Sequence, residues 1–113
     1  MIRFLSYIYP ITKTVTSDHS GTLEITWYNG KKYLNTKHAN YSYGSLQHIL
    51  KFGLYKINLK KTRSILILGL GGGSVIETLK TDFNFDGPIT AVEIDPVVIA
   101  VAKEEFHISE GPQ

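Results

Sequence analysis

A short apolar run that leads straight into a cluster of glycines restricts the fold of this chain more than any other feature of its sequence. The run is Ser64 to Leu68, and the glycine segment after it is Gly69 to Ser74. A continuous apolar run is typical of a parallel strand that is covered on both faces. Residues 75–79 then carry an apolar stripe at helical spacing, and Ile89 to Ile94 form a second apolar run. This order predicts one βαβ unit of about thirty residues.

A further helix is predicted directly after the second strand. Asp95 suits the N-cap position, because its carboxylate can accept hydrogen bonds from the first free amides of a helix. Pro96 suits the first helical position, where no amide donor is needed. Apolar residues follow at positions 97, 98, 101 and 102. The second half of the chain is therefore expected to have the order βαβα.

The first half of the chain predicts a β-hairpin. Leu23, Ile25 and Trp27 alternate with polar or amphipathic neighbours, which is typical of a half-buried strand. Asn29-Gly30 comes next, and these residue types accept the positive φ angles of a two-residue type I′ turn. The returning strand is expected over Lys31 to Asn35.

Two other segments of the first half have weaker patterns. Residues 5–11 alternate in hydrophobicity, but Pro10 removes a ladder donor and limits this segment to an edge strand or an extended arm. Apolar residues at three- and four-residue steps predict a helix over Tyr43 to Leu54, with Ser42 as its cap.

The predicted fold class is α/β. Residues 1–60 form an N-terminal β-hairpin plus helix, and residues 61–113 form the first βαβα part of a Rossmann-like, doubly wound parallel sheet. The boundary lies at the basic stretch Lys56 to Arg63. We expect this sheet to be incomplete, because two parallel strands leave open edges and one uncovered face. Such surfaces predict a homo-oligomer such as a dimer, with the arm at Phe4 to Ile11 or the hairpin exchanged between subunits.

Length and composition limit the kinds of function that the chain can have. Its 113 residues suffice for one small domain or for part of a larger protein. The lack of cysteine excludes disulfides, thiolate metal ligands and cysteine nucleophiles, and suits a reducing compartment. No apolar run is long enough for a signal peptide or a membrane span, so we expect a soluble, cytoplasmic protein. The four histidines lack metal-ligand spacing, and no metal is assigned.

Charge is distributed unevenly along the chain. Residues 1–63 contain ten Lys or Arg and two acids, a balance of +8, whereas residues 64–113 contain two Lys and eight acids, a balance of −6. The lysines and tyrosines of the first half are a possible stacking surface for nucleic acid. We favour two simpler explanations over a nucleic-acid partner. The basic residues form a solvated face, or they complement the acidic half within one chain or across a dimer.

The glycine loop is the candidate binding site. Glycines allow a tight turn and a close approach of a ligand to the backbone, and the free amides of the following helix favour a polar or anionic group. Glu93 ends the second strand, where a carboxylate can accept hydrogen bonds from both hydroxyls of a ribose. Ser74 stands where a dinucleotide fingerprint has its third glycine. An adenosine-type small molecule such as S-adenosylmethionine is therefore favoured over NAD.

Two motifs resemble those of a known family. The segments Ile65 to Ser74, ILILGLGGGS, and Thr90 to Val98, TAVEIDPVV, resemble the spermidine synthase-like branch of the S-adenosylmethionine-dependent methyltransferase fold. This branch comprises the polyamine aminopropyltransferases. The segments Tyr28 to Gly30 and Tyr41 to His48 look like the hairpin and the tyrosine-containing segment that precede the nucleotide fold in that family. By this resemblance, the chain is truncated after the second strand-helix unit.

The resemblance implies a function and a set of binding residues. The family transfers an aminopropyl group from decarboxylated S-adenosylmethionine to a polyamine in polyamine biosynthesis. S-Adenosylmethionine or its decarboxylated form would then lie on the glycine loop. The resemblance implies that Gly69, Leu70, Gly71 and Gly73 line this ligand and that Glu93 holds its ribose.

The sequence also departs from the family pattern. Gly72 stands where aminopropyltransferases usually carry an aspartate, Ser45 replaces an acid, and His48 comes one position early. The catalytic aspartate of the family lies after later strands, beyond Gln113, so no catalytic residue is assigned and we expect no turnover by this chain. Two alternatives stay open: an S-adenosylmethionine-dependent methyltransferase and a noncatalytic binding or assembly module.

Overall fold

The computed structural model describes residues 1–111, so the last two residues of the predicted second region lie outside it. The described residues form a mixed α/β fold with a four-stranded antiparallel sheet, a two-stranded parallel sheet and four α-helices. The predicted α/β class is confirmed at this level. The strands are β1 (Ile11–Thr16), β2 (Thr22–Tyr28), β3 (Lys31–Thr36), β4 (Asn40–Ser42), β5 (Ile65–Leu68) and β6 (Ile89–Val92). The helices are α1 (Ile2–Leu5), α2 (Ser45–Leu54), α3 (Ser74–Thr81) and α4 (Pro96–Phe106), with a 3₁₀ turn at Leu59–Lys61.

The hairpin of β2 and β3 is present as predicted. Asn29 and Gly30 connect the strands with φ angles of 49° and 74°, the signs that a type I′ turn requires. Buried Ser6 holds this turn from the side. Its backbone oxygen accepts a hydrogen bond from the Asn29 amide at 2.9 Å, and its hydroxyl accepts one from the Gly30 amide at 3.0 Å. The N-terminal segment is therefore attached to the tip of the hairpin.

The prediction of an edge strand or arm before Pro10 is only partly right. Residues 2–5 form one turn of helix, and the edge strand β1 begins after Pro10, at Ile11. The alternation of residues 5–9 does not mark a buried face, because the large apolar side chains there are exposed. The sequence of β1 beyond Ile11 did not predict a strand, because most of its residues are polar. In the structure most of them are exposed. Strand β4 spans only three residues and was also missed.

The predicted start of α2 and its cap are wrong. The helix begins at Ser45 with Gly44 as N-cap, and it ends at Leu54 as expected. Tyr43 has a φ of 69°, which lies in the left-handed region and cannot continue a right-handed helix. Ser42 is buried, and its hydroxyl bonds that of Ser74 on α3 at 3.0 Å instead of capping α2.

Strands β5 and β6 pair in parallel, as predicted. Their register aligns Ile65 with Ile89 and Leu68 with Val92, and α3 lies between them in the sequence. Helix α3 begins at Ser74, directly after the glycines, so the βαβα order is confirmed. The prediction that these elements are the first part of a larger Rossmann-like sheet stays a prediction.

The expectation that β5 is covered on both faces is wrong for residues 1–111. The side chains that point to one face of the parallel sheet are 52% to 78% exposed, and they belong to Leu66, Leu68, Val92 and Ile94. Their neighbours on the other face, Ile65 and Ile67, are partly buried. The uncovered face expected for a sheet of two parallel strands is therefore present.

The main apolar cluster joins the two halves of the chain. Leu23, Ile25 and Leu34 from the hairpin pack against Val98 and Val101 of α4. All five side chains are buried. One helix of the second half therefore shares its core with the antiparallel sheet. The boundary placed between residues 60 and 61 stays a prediction.

Asp95 caps α4 as predicted and also binds the first half of the chain. Its carboxylate accepts hydrogen bonds from the Val97 amide at 2.9 Å and from the His19 amide at 3.0 Å. Burial acts to raise the pKa of Asp95, but the backbone donors of His19 and Val97 and the Ser17 hydroxyl outweigh it. The pKa therefore lies below its ordinary value, and the buried carboxylate stays ionised at neutral pH.

Ion pairs also connect the basic half to the acidic half. Glu105 on α4 accepts from Lys32 at 3.1 Å and from Lys13, and Lys51 on α2 lies 2.9 Å from Asp82. Three of the four ion pairs within the described residues join the two halves. This pattern supports charge complementarity within one chain as a use of the basic residues.

Candidate functional site

The glycine loop lies at the carboxyl ends of β5 and β6. Its first amide, that of Gly69, donates to the Val92 oxygen at 2.8 Å and so continues the strand pairing. The loop then turns through three glycines with positive φ: Gly69 at 90°, Gly71 at 56° and Gly73 at 85°. L-residues rarely adopt such angles, so the local path of the chain requires glycine there. Gly73 is the N-cap residue of α3.

The first half of the loop is open and the second half is packed. A Cβ at Gly69 would meet no atom within 4 Å, and one at Gly71 would meet only ordinary contacts near 3.7 Å. A Cβ at Gly72 would lie 2.9 Å from the Tyr43 ring, and one at Gly73 would collide with Ile108. Space for a ligand is therefore found at Gly69 and Gly71.

A cavity of about 140 Å³ lies over the open half of the loop. Four of the five predicted binding residues line it: Gly69, Leu70, Gly71 and Glu93. The fifth residue, Gly73, does not line the cavity. Its contact with a ligand stays a prediction. Cavities that enclose small ligands usually measure about 300–1,000 Å³. Only part of a nucleoside would therefore lie inside this cavity, and the rest would stay outside it.

The opposite wall of the cavity was not predicted. It consists of Tyr41 and Ser42 on β4 together with Leu46 and Leu50 on α2. The spacing of Leu46 and Leu50 on one helical face was visible in the sequence and indicated an apolar contact surface. The partner of this helical face was not predictable, because it is set by long-range contacts between the two halves of the chain.

Glu93 faces the glycine loop from the end of β6. One carboxylate oxygen lies 3.4 Å from the Gly71 nitrogen and accepts its hydrogen bond, and the other accepts from the Asp95 amide at 3.1 Å. These two backbone donors fix the half-buried side chain beside the cavity. An ionised carboxylate has about four acceptor sites, so two remain for hydroxyl groups of a ligand.

Tyr43 holds the packed half of the loop. Its hydroxyl donates to the Gly72 oxygen at 2.7 Å, and its ring stacks on Phe106 with centroids 4.3 Å apart. Burial, and then the nearby charge of Glu77, raises the pKa of Tyr43 well above its ordinary value. The phenol therefore stays protonated at neutral pH and keeps its role as a donor. The left-handed backbone of Tyr43 is tolerated because these contacts over-determine its position.

A second set of hydrogen bonds ties α3 to the first half of the chain. The buried hydroxyls of Ser42 and Ser74 lie 3.0 Å apart. The Gln47 amide of α2 donates to the Thr78 hydroxyl at 3.2 Å. These contacts set the distance between the glycine loop and the wall formed by β4 and α2.

The remaining titratable groups do not extend the site. All four histidines are exposed, and no cluster of His, Asp or Glu within residues 1–111 could hold a metal ion. Glu93 is the only carboxylate among the described residues that line the cavity. None of the helices in residues 1–111 combines the length and the hydropathy needed to cross a membrane.

No protein-family model, curated protein or solved structure matches this chain. The resemblance to the spermidine synthase-like family therefore depends on the motif residues themselves, from Ile65 to Ser74 and from Thr90 to Val98.

Proposed function

We propose that the cavity binds the adenosine part of S-adenosylmethionine or its decarboxylated form. In this proposal the chain forms the nucleoside-binding start of a spermidine synthase-like aminopropyltransferase with a Rossmann-like sheet. The observation that carries the proposal is the position of the Glu93 carboxylate, 3.4 Å from the Gly71 nitrogen at the open half of the glycine loop.

The chemistry of a nucleoside suits this arrangement. A ribose presents two neighbouring hydroxyl donors, and Glu93 has acceptor capacity left after binding two amides. The uncrowded backbone at Gly69 and Gly71 lets a flat or bulky ligand approach the main chain. Leu46, Leu50 and Val75 supply apolar surface across the cavity.

The transfer step itself needs more than a binding site. In aminopropyl transfer, the attacking amine nitrogen forms a bond to the propyl carbon, the carbon–sulfur bond breaks, and the amine loses a proton. A carboxylate acting as general base would serve this step. Glu93 is assigned to the ribose, so no catalytic residue is assigned here.

Methyl transfer from S-adenosylmethionine is the second candidate function. Gly72 and Ser45 occupy positions where aminopropyltransferases usually carry acids, and an amine-recognising site benefits from such acids. A methyltransferase binds the same nucleoside but also the amino acid carboxylate, which the decarboxylated ligand lacks. Calorimetry with the two ligands separates the candidates. An aminopropyltransferase is expected to bind the decarboxylated form more tightly, and a methyltransferase is expected to bind S-adenosylmethionine more tightly.

The nucleoside proposal is tested by calorimetry with methylthioadenosine, which contains the adenosyl part and a methylthio group but neither an aminopropyl nor an amino acid chain. We expect the wild type to bind and Glu93→Gln to bind roughly tenfold more weakly, since a hydrogen bond to a charged group is lost. Glu104→Gln is the matched control, because Glu104 is an exposed acid on α4 away from the cavity. Failure of the folded wild type to bind would contradict the proposal and favour a noncatalytic assembly module, whereas equal affinity of Glu93→Gln would contradict the role of Glu93 in holding the ribose.

A further inference from the structure

A second cavity lies near the amino ends of β5 and β6, away from the glycine loop at their carboxyl ends. It measures about 520 Å³, which is within the range of about 300–1,000 Å³ that is usual for small-ligand sites. One wall belongs to residues 54–62, which lead into β5, and the other to residues 83–86, which lead into β6. It shares no lining residue with the cavity at the glycine loop. We call it the amino-end cavity.

An aromatic pair lines the amino-end cavity. Tyr55 belongs to one wall and Phe83 to the other, with ring centroids 4.9 Å apart and ring planes at 59°. Ile57 adds aliphatic surface, and Tyr55 and Ile57 are more than half exposed. Aromatic rings favour tilted or offset contacts at about 4.5–7 Å between centroids. The apolar part of the cavity therefore suits a ligand with an aromatic ring.

The cavity also has one positive and one negative side chain. Lys60 lines it from the first wall and Asp86 from the second. Neither belongs to the four ion pairs within residues 1–111, and neither side chain has a hydrogen-bond partner there. By contrast, Lys51 and Asp82 of neighbouring segments neutralise each other at 2.9 Å.

Two unpaired charges of opposite sign select the charge of a ligand. A purely anionic ligand, such as a nucleotide, would be repelled by Asp86, and a purely cationic ligand would be repelled by Lys60. A ligand with both signs can form a charge-assisted hydrogen bond with each side chain. The cavity therefore favours a zwitterion.

Two side-chain amides complete the polar part of the cavity. Asn58 and Asn84 line it, one from each wall. Within the described part of the chain, neither amide group is engaged in a hydrogen bond. A side-chain amide has both donors and an acceptor, so it can bond to a carboxylate or to an ammonium group.

We propose that the amino-end cavity binds a free α-amino acid with an aromatic side chain. The ring of the ligand lies against Tyr55 and Phe83, its carboxylate bonds to Lys60, and its ammonium group bonds to Asp86. An α-amino acid carries these two charges on one carbon atom, a short chain away from the ring. The inference is independent of the proposed nucleoside site.

Calorimetry with four small ligands tests the proposal. L-Phenylalanine has the ring and both charges, 3-phenylpropionate lacks the ammonium group, phenethylamine lacks the carboxylate, and L-alanine lacks the ring. We expect L-phenylalanine to bind and each of the other three to bind at least roughly tenfold more weakly, because each loses one of the three contacts.

Two variants assign each charge of the ligand to its wall. Asp86→Asn should weaken the binding of L-phenylalanine roughly tenfold, but it should not weaken 3-phenylpropionate, which has no ammonium group. Lys60→Gln should weaken L-phenylalanine by a similar factor, but it should not weaken phenethylamine, which has no carboxylate. Both side chains are exposed, so the fold should tolerate the changes, which thermal unfolding checks.

Asp18→Asn and Lys61→Gln are the matched controls, because both residues are exposed and neither lines the cavity. They should bind L-phenylalanine as the wild type does. The proposal is overturned if the folded wild type does not bind L-phenylalanine, if either single-charge ligand binds as tightly, or if the two cavity variants keep wild-type affinity.

A competition experiment keeps this site distinct from the glycine loop. Protein saturated with L-phenylalanine should bind methylthioadenosine as the free protein does, since the two cavities share no lining residue. Displacement of one ligand by the other would overturn the assignment of L-phenylalanine to the amino-end cavity.

Discussion

The Glu93 carboxylate accepts a hydrogen bond from the Gly71 amide across 3.4 Å, at the place where β6 ends beside the glycine loop. This contact joins two segments that lie 22 residues apart in the sequence. It orients the carboxylate toward the open half of the loop, where a Cβ at Gly69 would meet no other atom. This position is consistent with the proposed role of Glu93 in holding a ribose.

The two halves of the glycine loop should respond differently to alanine. Gly69 and Gly73 have nearly the same φ, 90° and 85°, so the backbone cost of alanine is similar at both, roughly 1–2 kcal/mol. At Gly73 the new methyl group also collides with Ile108. We therefore expect Gly73→Ala to lower the free energy of unfolding more than Gly69→Ala, as measured by urea denaturation.

Truncation of Ile108 is the control for this comparison. Adding Ile108→Ala to Gly73→Ala should recover the steric part of the loss, whereas adding it to Gly69→Ala should not. Equal destabilisation by the two glycine substitutions would show that the second half of the loop is not packed as described.

The buried serine pair between β4 and α3 should be coupled. Ser42→Ala leaves the Ser74 hydroxyl buried without its partner, and the reverse holds for Ser74→Ala. Each change should cost about 1–2 kcal/mol, and the double variant should cost little more than one of them. A double-mutant cycle on unfolding free energies, followed through the single tryptophan Trp27, measures the coupling.

An exposed hydroxyl pair provides the comparison for the serine cycle. Thr12 and Thr26 lie 2.8 Å apart on the surface of the antiparallel sheet. Because water replaces the lost partner there, their single substitutions to valine, which remove the hydroxyl, should change stability by less than about 0.5 kcal/mol. A serine cycle with no coupling would contradict the contact between the two halves.

Acid should weaken the attachment of α4 to the antiparallel sheet. Burial acts to raise the pKa of Glu105, but hydrogen bonds from Lys13 and Lys32 outweigh it, and its pKa lies below the ordinary value. The folded pKa is thus lower than the unfolded one. The stabilisation is complete above the unfolded value of about 4.3 and is lost as pH falls through the folded pKa.

Urea unfolding at about pH 7 and at several values below about pH 4 tests this dependence. Glu105→Gln should lose less stability on acidification than the wild type, while Glu104→Gln should follow the wild type. Asp95, whose pKa is also lowered, leaves a residual acid dependence in every variant. Identical acid profiles for Glu105→Gln and wild type would refute the role of the ion pairs.

Local patterns in the sequence were sufficient for most elements of this fold. The Asn29-Gly30 turn was predictable because few residue pairs accept two positive φ angles in succession. The cap at Asp95 was predictable because aspartate followed by proline suits a helix start. The N-terminal segment has a misleading pattern, since its alternating residues are exposed and the alternation does not reflect burial.

The candidate site was predictable only in part. Gly69, Leu70, Gly71 and Glu93 belong to one local motif, and the cavity contains all four. The wall at Tyr41 to Leu50 comes from the other half of the chain and is placed by long-range contacts. Ser42 shows the difficulty: its residue type suits a helix cap, but tertiary packing directs its hydroxyl to Ser74.

A titration of the ¹⁵N-labelled protein with methylthioadenosine, followed by amide chemical shifts, tests the proposed nucleoside site most directly. We expect the amides of Gly69, Gly71 and Glu93 to shift together and saturate, and the amides of the hairpin turn at Asn29 to stay in place. No shift in the glycine loop at saturating ligand, or shifts confined to other parts of the chain, would contradict it.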